Sequence, residues 1–133
     1  MEIIQSILSV DSIKHPTGSW CDLEGFVIKT DKQEILVGIS NDHSCCEHFG
    51  SISSEDKFDD FIGAQLLDVK LTDTALNSKV LAVMSELYEP NTMFVDINTS
   101  KGSLQFVLYN SHNGYYGHSA ILKSNQLTKE DNL

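Results

Sequence analysis

A dense group of polar and aromatic residues lies near the end of the sequence, between two apolar stretches. Within nine residues it supplies two amides, two imidazoles and two phenols: Asn110, His112, Asn113, Tyr115, Tyr116 and His118. Proteins hold small planar ligands, such as a nucleobase, with this mixture of hydrogen-bonding groups and aromatic faces. We therefore predict a ligand site here. The other interpretation is a tight turn whose Tyr rings cover the core and whose polar groups satisfy the backbone of the turn.

A second group of reactive residue types lies earlier, at residues 42–48, with the sequence Asp-His-Ser-Cys-Cys-Glu-His. Zinc prefers Cys, His and carboxylate ligands, and a Cys beside a His is also the composition of a nucleophile pair. The spacing favours neither, since no Cys-x-x-Cys or His-x-x-x-His pair occurs and no third, orienting group can be assigned. We predict no metal, no cofactor and no catalytic residue. We assign Cys46, Glu47 and His48 to the same ligand site as the later polar group.

Enzyme motifs are missing from the sequence. It contains no glycine-rich phosphate loop, no Gly-x-Ser-x-Gly and no pair of carboxylates at a recognisable catalytic spacing. Nothing in the sequence requires an enzyme, and a binding protein is favoured.

The charge balance narrows the choice of partner. The net charge is −10, and all nine basic residues are Lys. A chain without Arg lacks the bidentate group that best grips phosphate and guanine, and an acidic surface repels nucleic acid. We therefore predict no direct binding of nucleic acid. The acidity either serves solubility alone or meets a basic protein partner.

Composition also predicts the compartment. No apolar run is long enough to span a membrane, and the N-terminus lacks the basic start of a signal peptide. Three Cys, two of them adjacent, make a poor disulfide framework. We predict a cytoplasmic protein with reduced thiols and no membrane contact, and the sequence leaves a homo-oligomer open.

The elements that position both polar groups are mostly strands. Alternating apolar residues predict an α+β domain with a mostly antiparallel sheet of about six or seven strands, joined as hairpins, and two short helices. We expect one globular domain over residues 1–124 and a frayed tail over residues 125–133. The stretch at residues 3–10 fits either a first strand or a short helix.

Two hairpins and two helices carry most of this prediction. The Asn-Gly pair within the later polar group is a strong turn signal, so residues 104–109 and 115–122 are predicted to form one hairpin. Residues 22–30 and 34–40 form the other. The first helix starts at a Ser cap and stops at Gly63, and its exposed face is the densest acidic patch: Glu55, Asp56, Asp59 and Asp60. The second helix covers residues 78–89 and ends at Pro90.

Three elements of the sequence resemble a family of small uncharacterised proteins found in bacteria and their phages. They are Cys45-Cys46-Glu47 after a strand, Asn113-Gly114-Tyr115-Tyr116 near the end of a sheet, and Phe61-Ile62-Gly63 ahead of an apolar strand. The resemblance covers roughly residues 24–122. It brings no established activity, cofactor or catalytic residue, and Gly117-His118 departs from the Ser-Glu expected of relatives. Carriage by phages implies a part in the contest with bacterial defence.

Two functions follow as hypotheses. In the first, a non-enzymatic anti-defence protein sequesters a small nucleotide-like signal in a pocket formed by the Cys-Cys-Glu loop and the Asn-Gly hairpin. Lys101 and Lys123 would then meet the charge of a phosphorylated ligand. In the second, an acidic inhibitor docks on a basic, nucleic-acid-binding defence protein through the acidic helix face.

Overall fold

The computed structural model describes residues 1–13, 22–41, 49–87, 90–111 and 118–133. Nine strands and one α-helix lie within these ranges. In chain order they are β1 (Ile4–Ile13), β2 (Leu23–Thr30), β3 (Glu34–Ser40), β4 (Phe49–Ser53), β5 (Leu66–Thr72), α1 (Ser78–Glu86), β6 (Asn91–Thr99), β7 (Gly102–Asn110), β8 (Ser119–Lys123) and β9 (Thr128–Asn132). A single 3-10 turn occupies Asp59–Phe61. The mostly antiparallel fold is confirmed, whereas the described residues hold more strands and fewer helices than predicted.

The strands form two antiparallel sheets. One has five strands in the order β1-β2-β3-β8-β9, and the other has four in the order β4-β7-β6-β5. Alternate residues of both sheets point into one shared core, as in a β-sandwich. Its centre holds Phe26 and Phe106, whose ring centroids lie 4.4 Å apart, with Phe58 packed against both.

The five-stranded sheet has a second apolar cluster on its opposite face. Ile35, Val37 and Ile39 of β3 belong to the shared core, whereas Leu36 packs with Leu23 and Ile121 in the second cluster. The central strand β3 is therefore buried on both faces.

The two sheets meet at the start of β1. The backbone N–H of Ile4 donates to the carbonyl of Ala64 at 2.9 Å, and its carbonyl accepts from Gly63 at 2.8 Å. The N–H of Leu66 donates to the carbonyl of Glu2 at 2.7 Å. These bonds tie the start of the first strand of one sheet to the edge strand of the other, and the pairing of β1 with β2 shows that the N-terminal stretch is a strand rather than a helix.

The predicted β2–β3 hairpin is confirmed, and local chemistry explains it. The hydroxyl of Thr30 accepts the N–H groups of Lys32 and Gln33 at 3.1 and 3.0 Å, which stabilises the turn. Thr99 does the same at the β6–β7 turn, where its hydroxyl accepts from Lys101 at 3.1 Å. Both turns are specified by residues within the turn itself.

The predicted hairpin around the Asn-Gly pair is wrong. β7 pairs with β4 and β6 in one sheet, whereas β8 pairs with β3 and β9 in the other. Both edges of β7 already have partners, so β8 has no place beside it. Ala120 and Leu122 instead enter the shared core from the opposite sheet. Tertiary packing, rather than local turn chemistry, selects the partner strand.

The predicted first helix is also wrong, since only the 3-10 turn at Asp59–Phe61 forms. Phe58 packs against the rings of the core, and Phe61 is buried in it. A short segment gains little from helical nucleation, so these contacts decide its conformation. The second helix is confirmed over Ser78–Glu86, with the Asn77 side chain accepting the Val80 N–H at its start.

The tail predicted to be frayed is ordered. Thr128–Asn132 forms β9, which pairs with β8 along its whole length. Leu133 follows and is buried in the shared core. The polar composition of this segment suits an exposed edge strand, because such a strand needs backbone pairing rather than side-chain burial.

Among the described residues, no helix combines the length and the apolar character needed to cross a membrane.

Candidate functional site

The structure describes two of the nine residues predicted to bind a ligand, Asn110 and His118. The other predicted ligand residues lie outside the described ranges: Cys46, Glu47, His48, His112, Asn113, Tyr115 and Tyr116. These seven residues belong to segments 42–48 and 112–117. The described residues that flank these segments therefore define the candidate site.

The flanks of the two segments are in direct contact. His118 follows segment 112–117, and Phe49 follows segment 42–48. Their rings stack with centroids 4.0 Å apart and planes inclined at 25°. Asn110, which lies before segment 112–117, is the register partner of Phe49 in the β4–β7 ladder. Both segments thus leave the two sheets at the same end of the sandwich.

His118 is held rigidly by the end of β3. The residue is 2% exposed, and its Nδ1 lies 2.8 Å from the Ser40 carbonyl oxygen and 3.0 Å from the Ser40 hydroxyl. A carbonyl only accepts, so the shorter contact places the proton on Nδ1. The Ser40 hydroxyl also accepts the N–H of Ser119 at 3.2 Å. These bonds and the Phe49 stack fix the ring orientation.

The backbone of Leu133 forms hydrogen bonds with both His118 and Asn110. Its N–H donates to the His118 carbonyl at 2.8 Å, and its own backbone oxygen accepts from the His118 N–H at 3.2 Å. That oxygen also accepts from the Asn110 side-chain amide at 2.9 Å. The buried Leu133 side chain anchors these bonds in the core. Asn110 and His118 are therefore supports of the site, held from inside the molecule.

Tyr109 and Glu24 add a titratable pair at this end. Burial, and secondarily the negative charge of Glu24, raise the pKa of the Tyr109 phenol above 10.0. The phenol lies across Gly50, where an added Cβ would come within 3.0 Å of the Tyr109 oxygen. The phenol stays protonated at neutral pH and can donate a hydrogen bond.

Sequence reasoning missed four of these supports: Ser40, Phe49, Tyr109 and Leu133. Three of them lie within or at the end of ordinary apolar stretches and carry no local signal. Leu133 has a weak one, since it is a single apolar residue after a charged run. Their role comes only from the crossing of strands at this end of the sandwich.

The acidic residues predicted for the alternative site do not share one helix face. Asp59 and Asp60 lie in the 3-10 turn and are exposed. Asp56 precedes that turn and forms an ion pair with Lys79 of α1, with 2.6 Å between carboxylate oxygen and Nζ. Glu55 is half-buried, and its carbonyl accepts from the Ser53 hydroxyl at 2.6 Å. Part of this acidic group therefore serves the contact between α1 and the segment after β4.

A cleft elsewhere is too small for the predicted ligand. It lies between β9 and the β5–β6 pair and has a volume of about 130 Å³. Its lining includes Leu71, Met93, Lys129 and Asp131. Pockets for drug-sized ligands are roughly 300–1,000 Å³, so this cleft does not compete with the candidate site.

Within the described ranges, no three His, Cys, Asp or Glu side chains cluster as a metal site would require. The zinc alternative considered for residues 42–48 falls outside those ranges.

Comparison with known protein families finds a matching family model for this chain. A family model described as a domain of unknown function, DUF7448, matches residues 3–122. The chain belongs to the DUF7448 family. No curated protein and no solved structure is found to match it. The expectation of an uncharacterised family is confirmed at this level.

The DUF7448 match includes both flanked segments and eight of the strands, but it ends within β8. β9 and Leu133 lie beyond the matched residues. The support that Leu133 gives to His118 and Asn110 therefore comes from a residue beyond the matched range.

Proposed function

We propose that this DUF7448 protein is a non-enzymatic binding protein that sequesters a small nucleotide-like molecule at the end of the sandwich. The site is assigned to segments 42–48 and 112–117. The observation that carries the proposal is the contact between the residues that flank them, centred on the stack of His118 and Phe49.

A binding site needs its ligand-contacting groups held on a rigid support, because their precise placement depends on neighbours that are fixed by packing and hydrogen bonds. The flanks meet this need. Ser40, His118 and Leu133 are buried and belong to three different segments of the chain, and Ser40 and Leu133 each form hydrogen bonds with His118. The described residues on either side of the two segments are therefore close together and held by buried contacts.

The charge distribution narrows the ligand class. Lys101 lies at the β6–β7 turn, at the opposite end of β7 from Asn110. Lys123 lies at the far end of β8 from His118. Neither Lys can meet a ligand at the candidate site, contrary to expectation. The distance of these two Lys residues from the site favours a ligand that is recognised through its base or ribose and carries few phosphate groups.

The resemblance to phage proteins supplies the biological part of the proposal. A small acidic protein that withdraws a nucleotide-like signal would weaken a bacterial defence that depends on that signal. This role is supported by the resemblance described above and is independent of the exact ligand.

Native mass spectrometry of the protein purified from a bacterial host tests the proposal. We expect a bound mass of a few hundred daltons, typical of a nucleoside-type ligand. His112→Ala and Tyr116→Ala should each remove this mass. The matched control is Asp59→Lys with Asp60→Lys, which changes exposed residues remote from the flanks and should keep it.

The opposite pattern would reject the pocket. A bare chain mass in the wild type, together with capture of a basic host protein that the Asp59→Lys, Asp60→Lys variant fails to capture, would establish the acidic-inhibitor alternative. The exposure of Asp59 and Asp60 is the observation that keeps this alternative open.

A further inference from the structure

The four edge strands of the sandwich differ in how they are protected. Unpaired strand edges attract other strands, and proteins block them with charge, bulges, short length or a covering segment. β9 has five residues, of which Lys129, Glu130 and Asp131 are charged. β5 carries Asp68 and Lys70 and a register shift at its start. β4 is short and packs against β2.

β1 has much weaker protection. It is ten residues long, and Asp11 is its only charged residue. Its register with β2 shifts near both ends, between Ile4 and Ser6 and between Val10 and Ile13, but the central stretch from Ser6 to Val10 is continuous and carries no charge. On the edge of β1 that faces away from β2, the backbone groups of residues 63 and 64 form hydrogen bonds with Ile4. Within the described residues no other backbone group bonds to this edge. Leu8, at the middle of the continuous stretch, is 56% exposed.

We propose that β1 is a self-pairing edge that joins two copies of this chain into a dimer. An antiparallel pair with its two-fold axis at Leu8 places Leu8 opposite Leu8 of the second copy. Ser6 then faces Val10, and Ile7 faces Ser9. Asp11 faces Gln5, so no two like charges meet directly. The two five-stranded sheets become one continuous sheet.

The second copy fits this edge for two reasons. Two chains of net charge −10 repel each other, so they can associate only where charge is sparse, and β1 is such a strand. In addition, Leu8 pairs with Val27, which packs against the apolar cluster of Leu23, Leu36 and Ile121. Contact between the two Leu8 side chains extends this cluster across the dimer axis.

The repulsion also predicts a salt effect. Added salt screens the long-range repulsion between two acidic chains but leaves the backbone pairing and the Leu8 contact in place. The dimer should therefore tighten as the salt concentration rises. An interface held by ion pairs would weaken instead.

Sedimentation velocity over a range of protein and salt concentrations tests the proposal. We expect the wild type to approach twice the chain mass of 14.8 kDa. Leu8→Lys places two like charges opposite each other and should weaken dimerisation about tenfold or more. The matched control is Leu67→Lys, which changes a leucine of similar exposure, 58%, on the edge strand β5 and should leave the dimer intact.

Hydrogen exchange of the unmodified protein gives a second measurement that needs no variant. The alternate amides of residues 6–10 that point away from β2 should lose protection on dilution, while those of β3 keep it. A wild type that stays monomeric under all conditions overturns the proposal. Equal dissociation of the Leu8→Lys and Leu67→Lys variants also overturns it. Neither result bears on ligand binding at the other site.

Discussion

Replacing Gln105 should destabilise the protein far more than its place in a strand suggests. Gln105 is fully buried on the face of β7 that points away from the shared core. Its side-chain oxygen accepts the N–H of Leu76 at 2.9 Å. Its amide donates to the Thr74 carbonyl at 2.9 Å and to the Asp96 carboxylate at 2.8 Å. These bonds hold the segment ahead of α1 on the four-stranded sheet.

Gln105→Leu keeps approximately the same volume but removes all three bonds. A neutral hydrogen bond contributes about 1 kcal/mol and one to a charged group about 2 kcal/mol, and the partners left behind are partly buried. Offset by the better burial of Leu, the expected loss in free energy of unfolding is about 3 kcal/mol. With a urea m-value of about 1.5 kcal/mol/M, the midpoint should fall by about 2 M.

Equilibrium urea unfolding followed by circular dichroism measures this loss. The matched control is Gln65→Leu, because Gln65 is half-buried and its side chain makes no hydrogen bond among the described residues. That variant should stay within about 0.5 kcal/mol of the wild type. A Gln105→Leu variant within about 1 kcal/mol of the wild type, at unchanged m-value, would refute the role given to these bonds.

Two further predictions concern the candidate site. Leu133→Ala should lower the free energy of unfolding by about 2–3 kcal/mol, since it removes a buried side chain from the core, and an unchanged urea midpoint would contradict that placement. The raised pKa of Tyr109 means that its contribution to stability is complete below pH 10.0 and is lost as the pH rises through the folded-state pKa. Phenolate absorbance should therefore show a late-titrating Tyr that disappears in Tyr109→Phe, and Glu24→Gln should lower its pKa only in part, because burial is the larger cause. An early-titrating Tyr109 would show that the phenol is open to water.

The candidate site was only partly predictable from the sequence. The residue types at 42–48 and at 110–118 drew attention to two segments, because polar and aromatic groups are dense there. Their assignment to one site had no topological basis in the sequence, and the hairpin predicted for the second segment, between β7 and β8, is wrong. The structure brings their flanks together by a crossing between sheets, through the contacts of His118 with Ser40 and Phe49.

The sequence by itself determined the local features. The period-two apolar pattern predicted strands, the residues of the β2–β3 turn predicted a hairpin, and the apolar spacing of residues 78–89 with the stop at Pro90 predicted the second helix. Each of these depends on interactions within a few residues, so the chain specifies them locally.

Only the tertiary structure decided which strands pair and which faces are buried. Gln105 lies between the core residues Leu104 and Phe106, so the sequence pattern predicts that it faces solvent. In the structure the segment before α1 covers it. Leu67 lies two residues before the buried Val69, a spacing that places both on one face of a regular strand. The register shift at the start of β5 leaves Leu67 exposed instead. The polar composition of residues 125–133 predicted a frayed tail, yet Thr128–Asn132 pairs with the edge of β8. In each case the deciding contact joins residues far apart in the chain, and a pattern of neighbours carries no information about it.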